Sequence, residues 1–313
     1  MIVIPCTERK RFPPDAELRA RVLPEGDLSE VAAAWSQRVF SAAPVGAARD
    51  VYCGRAFREA FLAVQEMNAD LVIVSAGLGL VEVDQQIPSY GLTVVGGRQD
   101  SVGRKIVGPV WCPADWWDAL RANSPFTSNL KQRIEEAEAS VVLMSLSESY
   151  GRMVWRDLEA LSGPQVERLR IFGANIARHL PENVSDAVMP YDRAFDGSDS
   201  PIPGTMSDFG SRVLHHYCQL LSAGEVGGES AKEDGERLAK HMSSWSPPDV
   251  PKRKKLTDRE VLDFISENWS ATGGRSQASL RFLRDSGFAC EQGRFKDLFH
   301  RARALRDRED TEA

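Results

Sequence analysis

The sequence predicts an α/β domain built on a mostly parallel sheet with helices on both faces, followed by a small C-terminal all-α domain. Three observations carry this reading. Short β-branched runs alternate with longer helical stretches up to about Leu221. The run LVIVS at Leu71–Ser75 is apolar without alternation, as a strand covered on both faces requires. Beyond residue 255, behind a KRKK arm, apolar residues recur at helical spacing.

In chain order, the expected strands are Ile2–Pro5, Leu71–Ser75, Ser140–Ser145, Arg168–Gly173 and Asp186–Met189. Helices fit between them at Ser29–Ser41, Arg55–Met67, Asn129–Glu138 and Tyr150–Leu161. In the last of these, Val154, Leu158 and Leu161 form an apolar stripe, and Ser162, Gly163 and Pro164 stop it. Residues 1–221 then form the α/β domain. Residues 222–255 are rich in Gly, Ser, Pro and charge and read as a linker, with ERLAKHM suited to a helical turn. Residues 256–313 read as the helical domain. Thr257 with Glu260 is a capping box opening its first helix, Ser276–Ser286 its second, ended by Gly287. A third helix places Phe295, Leu298, Phe299, Ala302 and Leu305 on one face.

At 42% hydrophobic and 27% charged, the 313 residues exclude a disordered or fibrous chain. No apolar run is long enough to span a bilayer, and the start lacks the order of a signal peptide, so the chain reads as cytoplasmic and without a membrane partner. Five scattered cysteines without a CxxC pair argue against a disulfide framework or a zinc knuckle. The net charge of −6 hides an asymmetry: residues 251–308 hold fourteen Lys and Arg against eight Asp and Glu, net +6, leaving −12 on the rest. Such a basic tail suits contact with phosphate.

In an open α/β sheet the ligand lies beyond the carboxyl ends of the strands. The segments there are polar: CTERK at residues 6–10, SAGLGLVEVDQQIPSY at 75–90, SLSESY at 145–150 and PYDRAFDG at 190–197. No P-loop, dinucleotide fingerprint or GxSxG elbow occurs, and no His or Cys spacing suits a metal, so no cofactor and no metal is expected. What remains is acid/base chemistry by carboxylates, with Lys10 or Arg193 to hold an anion and Cys6 as a possible nucleophile or a small packing residue. The cluster of Trp111, Cys112, Trp116 and Trp117 reads as a core plug before a base-displacing wedge.

Two of these segments resemble a known superfamily. Pro5, Cys6, Thr7 and Lys10, then Ser75, Gly79, Leu80, Val81, Asp84, Pro88 and Tyr90, match motifs shared by the archaeosine synthase core domain, peroxide-stress proteins and DNA-acting relatives in phage-defence loci. The KPY element and later Ser and His of the archaeosine pattern are missing. With Glu8 after the first strand, where uracil-DNA-glycosylase-like folds keep a water-activating acid, the chain is most similar to anti-phage DNA glycosylases that excise glucosylated hydroxymethylcytosine. The resemblance implies a uracil-DNA-glycosylase-like fold and modified phage DNA as partner.

A base within a duplex must be flipped out before its glycosidic bond is reached, and a carboxylate then stabilises the oxocarbenium-like sugar or orients water. Glu8 and Asp84 are the first candidates for that carboxylate, with Glu148 and Asp192 behind them. Tyr90 and Tyr150 are candidates to stack on the base; Cys6, Thr7, Ser75, Gly77, Ser145 and Ser147 would complete the base and sugar pocket. Lys10 and Arg193 would meet phosphate or the leaving base, and a Schiff base at Lys10 is a less economical route. The tail would add Lys252, Arg253, Lys254, Lys255, Arg275, Arg281, Arg284, Arg294 and Lys296 as DNA contacts. Two alternatives stay open: addition of Cys6 to the nitrile of a 7-cyano-7-deazaguanine base, and a non-enzymatic DNA-binding stress protein.

Overall fold

The structure is a computed structural model describing residues 1–126, 129–249 and 252–312, with side chains up to Asp307. Residues 250 and 251 of the expected linker and residue 313 of the expected C-terminal domain lie outside the described residues. The chain divides into two compact units, 1–248 and 249–313.

The first unit is built on five strands: β1 (Ile2–Pro5), β2 (Leu71–Ser75), β3 (Gly79–Glu82), β4 (Val142–Ser145) and β5 (Leu169–Phe172). Their order is β3-β2-β1-β4-β5. β1 pairs in parallel with β2, Ile2 opposite Leu71, and with β4, Ile2 opposite Leu143; β4 and β5 are also parallel. Every residue of β2, β4 and β5 is buried. Because successive side chains point to opposite faces, uninterrupted burial means that both faces are covered. The chain therefore leaves β1 toward β2 on one side and returns to β4 on the other, and the strand order reverses between β1 and β4.

Helices α1 (Leu28–Ser41), α2 (Arg55–Met67), α3 (Pro113–Ala122), α4 (Leu130–Glu136), α5 (Glu148–Met153), α6 (Phe209–Ser222) and α7 (Ala231–His241) accompany the sheet. α2 packs along α6, and α3 lies against α1 and α5. Asp27 caps α1 in a reciprocal box with Glu30, which fixes where the helix starts. Among the described residues, no helix is long and apolar enough to cross a membrane.

Several expectations are corrected. Asp186–Met189 is not a strand: residues 182–187 form a 3-10 turn, and only Val188 bridges to Ile171. The helix expected at Tyr150–Leu161 breaks at Val154 into α5 and a short turn at Trp155–Glu159. β3 was not anticipated, and the helices that begin at the tryptophan cluster (α3) and carry His215 and His216 (α6) were expected without bounds. The expected linker 222–255 is largely structure, since α7 lies within it and Val226, Asp234, Leu238 and Met242 are buried in the first unit. Asp234 anchors it: Arg170 Nε and Tyr217 Oη donate to Asp234 Oδ2 at 2.7 and 2.6 Å, and the Gly227 and Gly228 amides donate to Oδ1 at 3.0 Å each.

In the second unit, α8 (Asp258–Glu267) opens with the Thr257–Glu260 capping box, α9 (Ser276–Asp285) ends before Gly287 at φ 85°, and α10 spans Gln292–Glu312. Val261, Ile265, Leu283, Phe295, Leu298 and Phe299 form its core. It is not purely α-helical, because Lys254–Lys255 pairs in parallel with Phe288–Ala289.

Candidate functional site

A polar cluster occupies the carboxyl ends of β1, β2 and β4. β1 runs straight into Cys6, whose amide still donates to the Val74 carbonyl at 2.8 Å. The next residues turn tightly. Thr7 Oγ1 shares its one proton between the carbonyls of Arg9 (2.8 Å) and Cys53 (3.1 Å), and Lys10 folds back to donate from Nζ to the Thr7 carbonyl at 3.1 Å. Cys6 Sγ lies 3.0 Å from Tyr150 Oη, a contact that spans from the end of β1 to α5 beyond β4. It therefore crosses the point where the strand order reverses, the position at which open α/β sheets bind ligands.

Behind this edge lies a chain of hydroxyls. Ser75 Oγ accepts from the amides of Gly77 (3.3 Å) and Leu78 (3.0 Å), so its own proton goes to Tyr90 Oη at 2.5 Å. Tyr90 then donates to Tyr52 Oη at 2.8 Å. The Lys10 ammonium stands 4.1 Å from the centre of the Tyr90 ring and 5.5 Å from that of Tyr52, within range of cation–π attraction.

The turn after β2 is pinned from outside. Trp35 Nε1 donates to the Gly77 carbonyl (2.7 Å), Trp116 Nε1 to that of Ala76 (2.8 Å) and Ser124 Oγ to that of Leu78 (2.8 Å). Gly77 is required because a Cβ there would lie 2.4 Å from the Tyr90 ring. Trp116 and Trp117 are fully buried, Trp117 donating to Asp157 at 2.8 Å, as a core plug does.

Burial sets the electrostatics. Tyr52, Tyr90 and Tyr150 have pKa values raised above the ordinary phenol value, first by desolvation and then by the charge that Cys6 would carry as thiolate. They stay neutral near pH 7. Lys10 is pushed down by desolvation, opposed by Cys6 and Glu8.

Of the residues expected in the site, Cys6, Thr7, Lys10, Ser75, Gly77, Tyr90 and Tyr150 are brought together. Glu8 lies on the turn between Cys6 and Lys10 with an exposed side chain. Asp84 is elsewhere: β3 runs antiparallel to β2, so its exit lies at the opposite end of the sheet, where Asp84 pairs with Arg49 at 2.8 Å. Glu148 is exposed and paired with Arg152 (2.8 Å) and His179 (3.4 Å). Asp192 accepts from the Ala194 amide at 2.8 Å to cap a turn, beside an exposed Arg193. Ser147 is exposed; Ser145 is buried, and a Cβ at Gly210 on α6 would come within 2.7 Å of its hydroxyl. Tyr52 was missed, because it follows no strand.

Among the expected DNA contacts of the second unit, Lys252, Lys254, Lys255, Arg275, Arg281 and Lys296 are exposed. Arg253 donates to the Arg284 carbonyl (2.9 Å), Arg284 to that of Cys290 (3.3 Å), and Arg294 to Asp258 (2.8 Å) and the Leu256 carbonyl (2.9 Å). These three also serve the fold. No group of three or more His, Cys, Asp or Glu among the described residues is arranged to hold a metal ion. No family model, curated protein or solved structure matches the chain.

Proposed function

We propose that the protein is a DNA glycosylase that excises a glucosylated hydroxymethylated cytosine from phage DNA, leaves an abasic site and serves antiviral defence in the cytoplasm. The observation that carries this reading is the Cys6–Tyr150 edge across the strand-order reversal, with neutral phenols behind it and one acid and one cation, Glu8 and Lys10, on the same short turn. Glu8 as carboxylate takes a proton from water, whose oxygen bonds to C1′ as the glycosidic bond breaks. The base departs with the bonding pair and is protonated by the Lys10 ammonium or by solvent. Neutral phenols and hydroxyls suit recognition of a base edge and an attached sugar, since they donate and accept without charge. The exposed lysines and arginines of the second unit supply phosphate contacts in this reading.

The test is incubation of the purified protein, without added cofactor or metal, with phage DNA containing the glucosylated base and with unmodified DNA, followed by mass spectrometry of released bases. Release of the modified base alone, with alkali-labile sites left behind, is the expected result; no release from either DNA refutes it.

One observation favours a second reading. The Cys6 thiol, 3.0 Å from the Tyr150 hydroxyl and near the Lys10 ammonium, is placed to add to an electrophilic carbon such as the nitrile of a 7-cyano-7-deazaguanine base. Replacement of Cys6 by Ser separates the two, abolishing thiol addition and leaving water-based excision largely intact.

A further inference from the structure

We infer that a groove along the start of α2 is a docking track for single-stranded nucleic acid. The inference rests on the nucleic-acid reading above and adds the place where the strand lies. The groove encloses about 800 Å³, a volume that suits a nucleotide-sized ligand. Its walls carry Arg11, Arg49, Arg55 and Arg58, and Phe61 and Leu62 also line it.

Its inner end is formed by Tyr52 and Cys53. Tyr52 is hydrogen-bonded to Tyr90, and the Cys53 carbonyl holds Thr7, so the groove runs up to the residues of the candidate site. A strand whose nucleotide enters that site has its neighbouring phosphates in the groove.

Arg55 and Arg58 are held by buried carboxylates. Glu59 and Asp208 are each only 5% exposed; Arg58 lies 3.2 Å from Glu59, and Arg55 lies 3.4 Å from Asp208 and also donates to the Pro203 carbonyl. The side chains of Arg49, Arg55 and Arg58 remain 50%, 41% and 68% exposed. The buried carboxylates Glu59 and Asp208 engage one edge of Arg55 and of Arg58 and hold them in place, and the donors that remain on partly exposed side chains are available to phosphate. Asp84, paired with Arg49, and Asp50, on the wall, are the acids at the rim.

The apolar residues select the strand. Phe57 and Phe61 stack at 6.2 Å and 26° along α2, and Leu62 stays 40% exposed beside them. Exposed arginine side chains beside the half-buried Phe61 and the exposed Leu62 match a chain that offers phosphates and open base faces together. In a duplex those faces are closed by stacking.

The experiment is fluorescence anisotropy of the full-length protein with a labelled, unmodified 12-nucleotide single strand and with its duplex, at several salt concentrations. The single strand is expected to bind the tighter of the two. In R11E/R58E its affinity should fall by about tenfold or more and the slope of log K against log salt should shrink by about 1.4, the share of two phosphates. Unchanged affinity and slope overturn the inference. So does displacement of the strand by poly-glutamate at equal charge concentration, which would mark the groove as a site for an acidic protein segment.

Wild-type protein crosslinked by ultraviolet light to a bromouracil-containing single strand gives a readout independent of the variant's folding. Adducts in the peptide spanning residues 55–65 are expected, and adducts confined to other peptides overturn the groove. None of these measurements requires base release, so failure of the glycosylase reading and failure of the groove are told apart.

Discussion

The order of protons in the buried hydroxyl chain has a measurable consequence. With both Ser75 acceptor sites used by the Gly77 and Leu78 amides, Ser75 donates to Tyr90 and Tyr90 to Tyr52. Y90F therefore leaves two buried groups without partners, the Ser75 proton and the Tyr52 oxygen. Y52F leaves only the Tyr90 proton. A buried polar group without a partner costs about 1–3 kcal/mol, so Y90F should destabilise by roughly 2–4 kcal/mol and Y52F by about half as much. The double variant should be no less stable than Y90F alone, since its second substitution removes a group already stranded. Urea unfolding followed by tryptophan fluorescence reads the first unit, which holds six of the seven tryptophans, and the comparison is one of midpoints at constant slope. Costs for Y52F equal to those for Y90F, or strictly additive costs in the double variant, refute this proton order.

Three further outcomes are expected. In base-release assays E8Q should lower the rate by about 100-fold or more, the scale of a general base, whereas C6S should stay within a few-fold of wild type; the reverse pattern assigns the chemistry to the thiol. D234A strands the Arg170 guanidinium in the interior and should cost about 3–5 kcal/mol in urea unfolding, while a loss under 1 kcal/mol contradicts the anchoring of residues 223–241 by Asp234. His216 shares a 2.8 Å hydrogen bond with Tyr191, and its burial, followed by the neighbouring His241 and His215, brings its pKa down to about 4. The unfolded chain therefore binds a proton more readily between about pH 6.5 and 4, so roughly 3 kcal/mol of stability is present above pH 6.5 and lost as pH falls through that window. H216Q should flatten the stability profile there, and an unchanged slope refutes the assignment.

The strands β1 and β2 were legible because burial on both faces leaves an unbroken apolar run, and that alone is enough to locate the residues that follow them. Cys6, Thr7, Lys10 and Ser75 were found for this reason. The bounds of α6 escaped because its buried side includes Ser211, Arg212, His215 and His216, polar residues that erase the apolar period. Arg212 is compensated by Asp208, one turn earlier, at 2.7 Å and by Asp196 at 2.6 Å, and His215 by Glu59, far away in sequence, at 3.1 Å. The supposed linker was hidden in the same way by Asp234. Asp84 was misplaced by topology rather than composition, because a tight turn at Gly79, with φ 97°, sends β3 back antiparallel and carries the acid away from the site.

The relocation of Asp84 changes what chemistry the site can do. Paired carboxylates would divide acid and base roles between two like groups held at different pKa values. Here the phenols are kept neutral by burial, so the ionisable pair at the mouth is Glu8 and Lys10, two residues apart on one turn and of opposite sign. A pair of opposite charge polarises a bond along a direction. The glycosidic bond calls for this arrangement in the proposed reaction, with negative charge toward the sugar as it becomes cationic and a proton donor toward the base as it becomes anionic. Exchange of the two charges in E8K/K10E preserves the net charge of the turn and reverses the dipole. Restored activity in that double variant would mean that only local neutrality matters; activity lower than in either single variant is what a directional role requires.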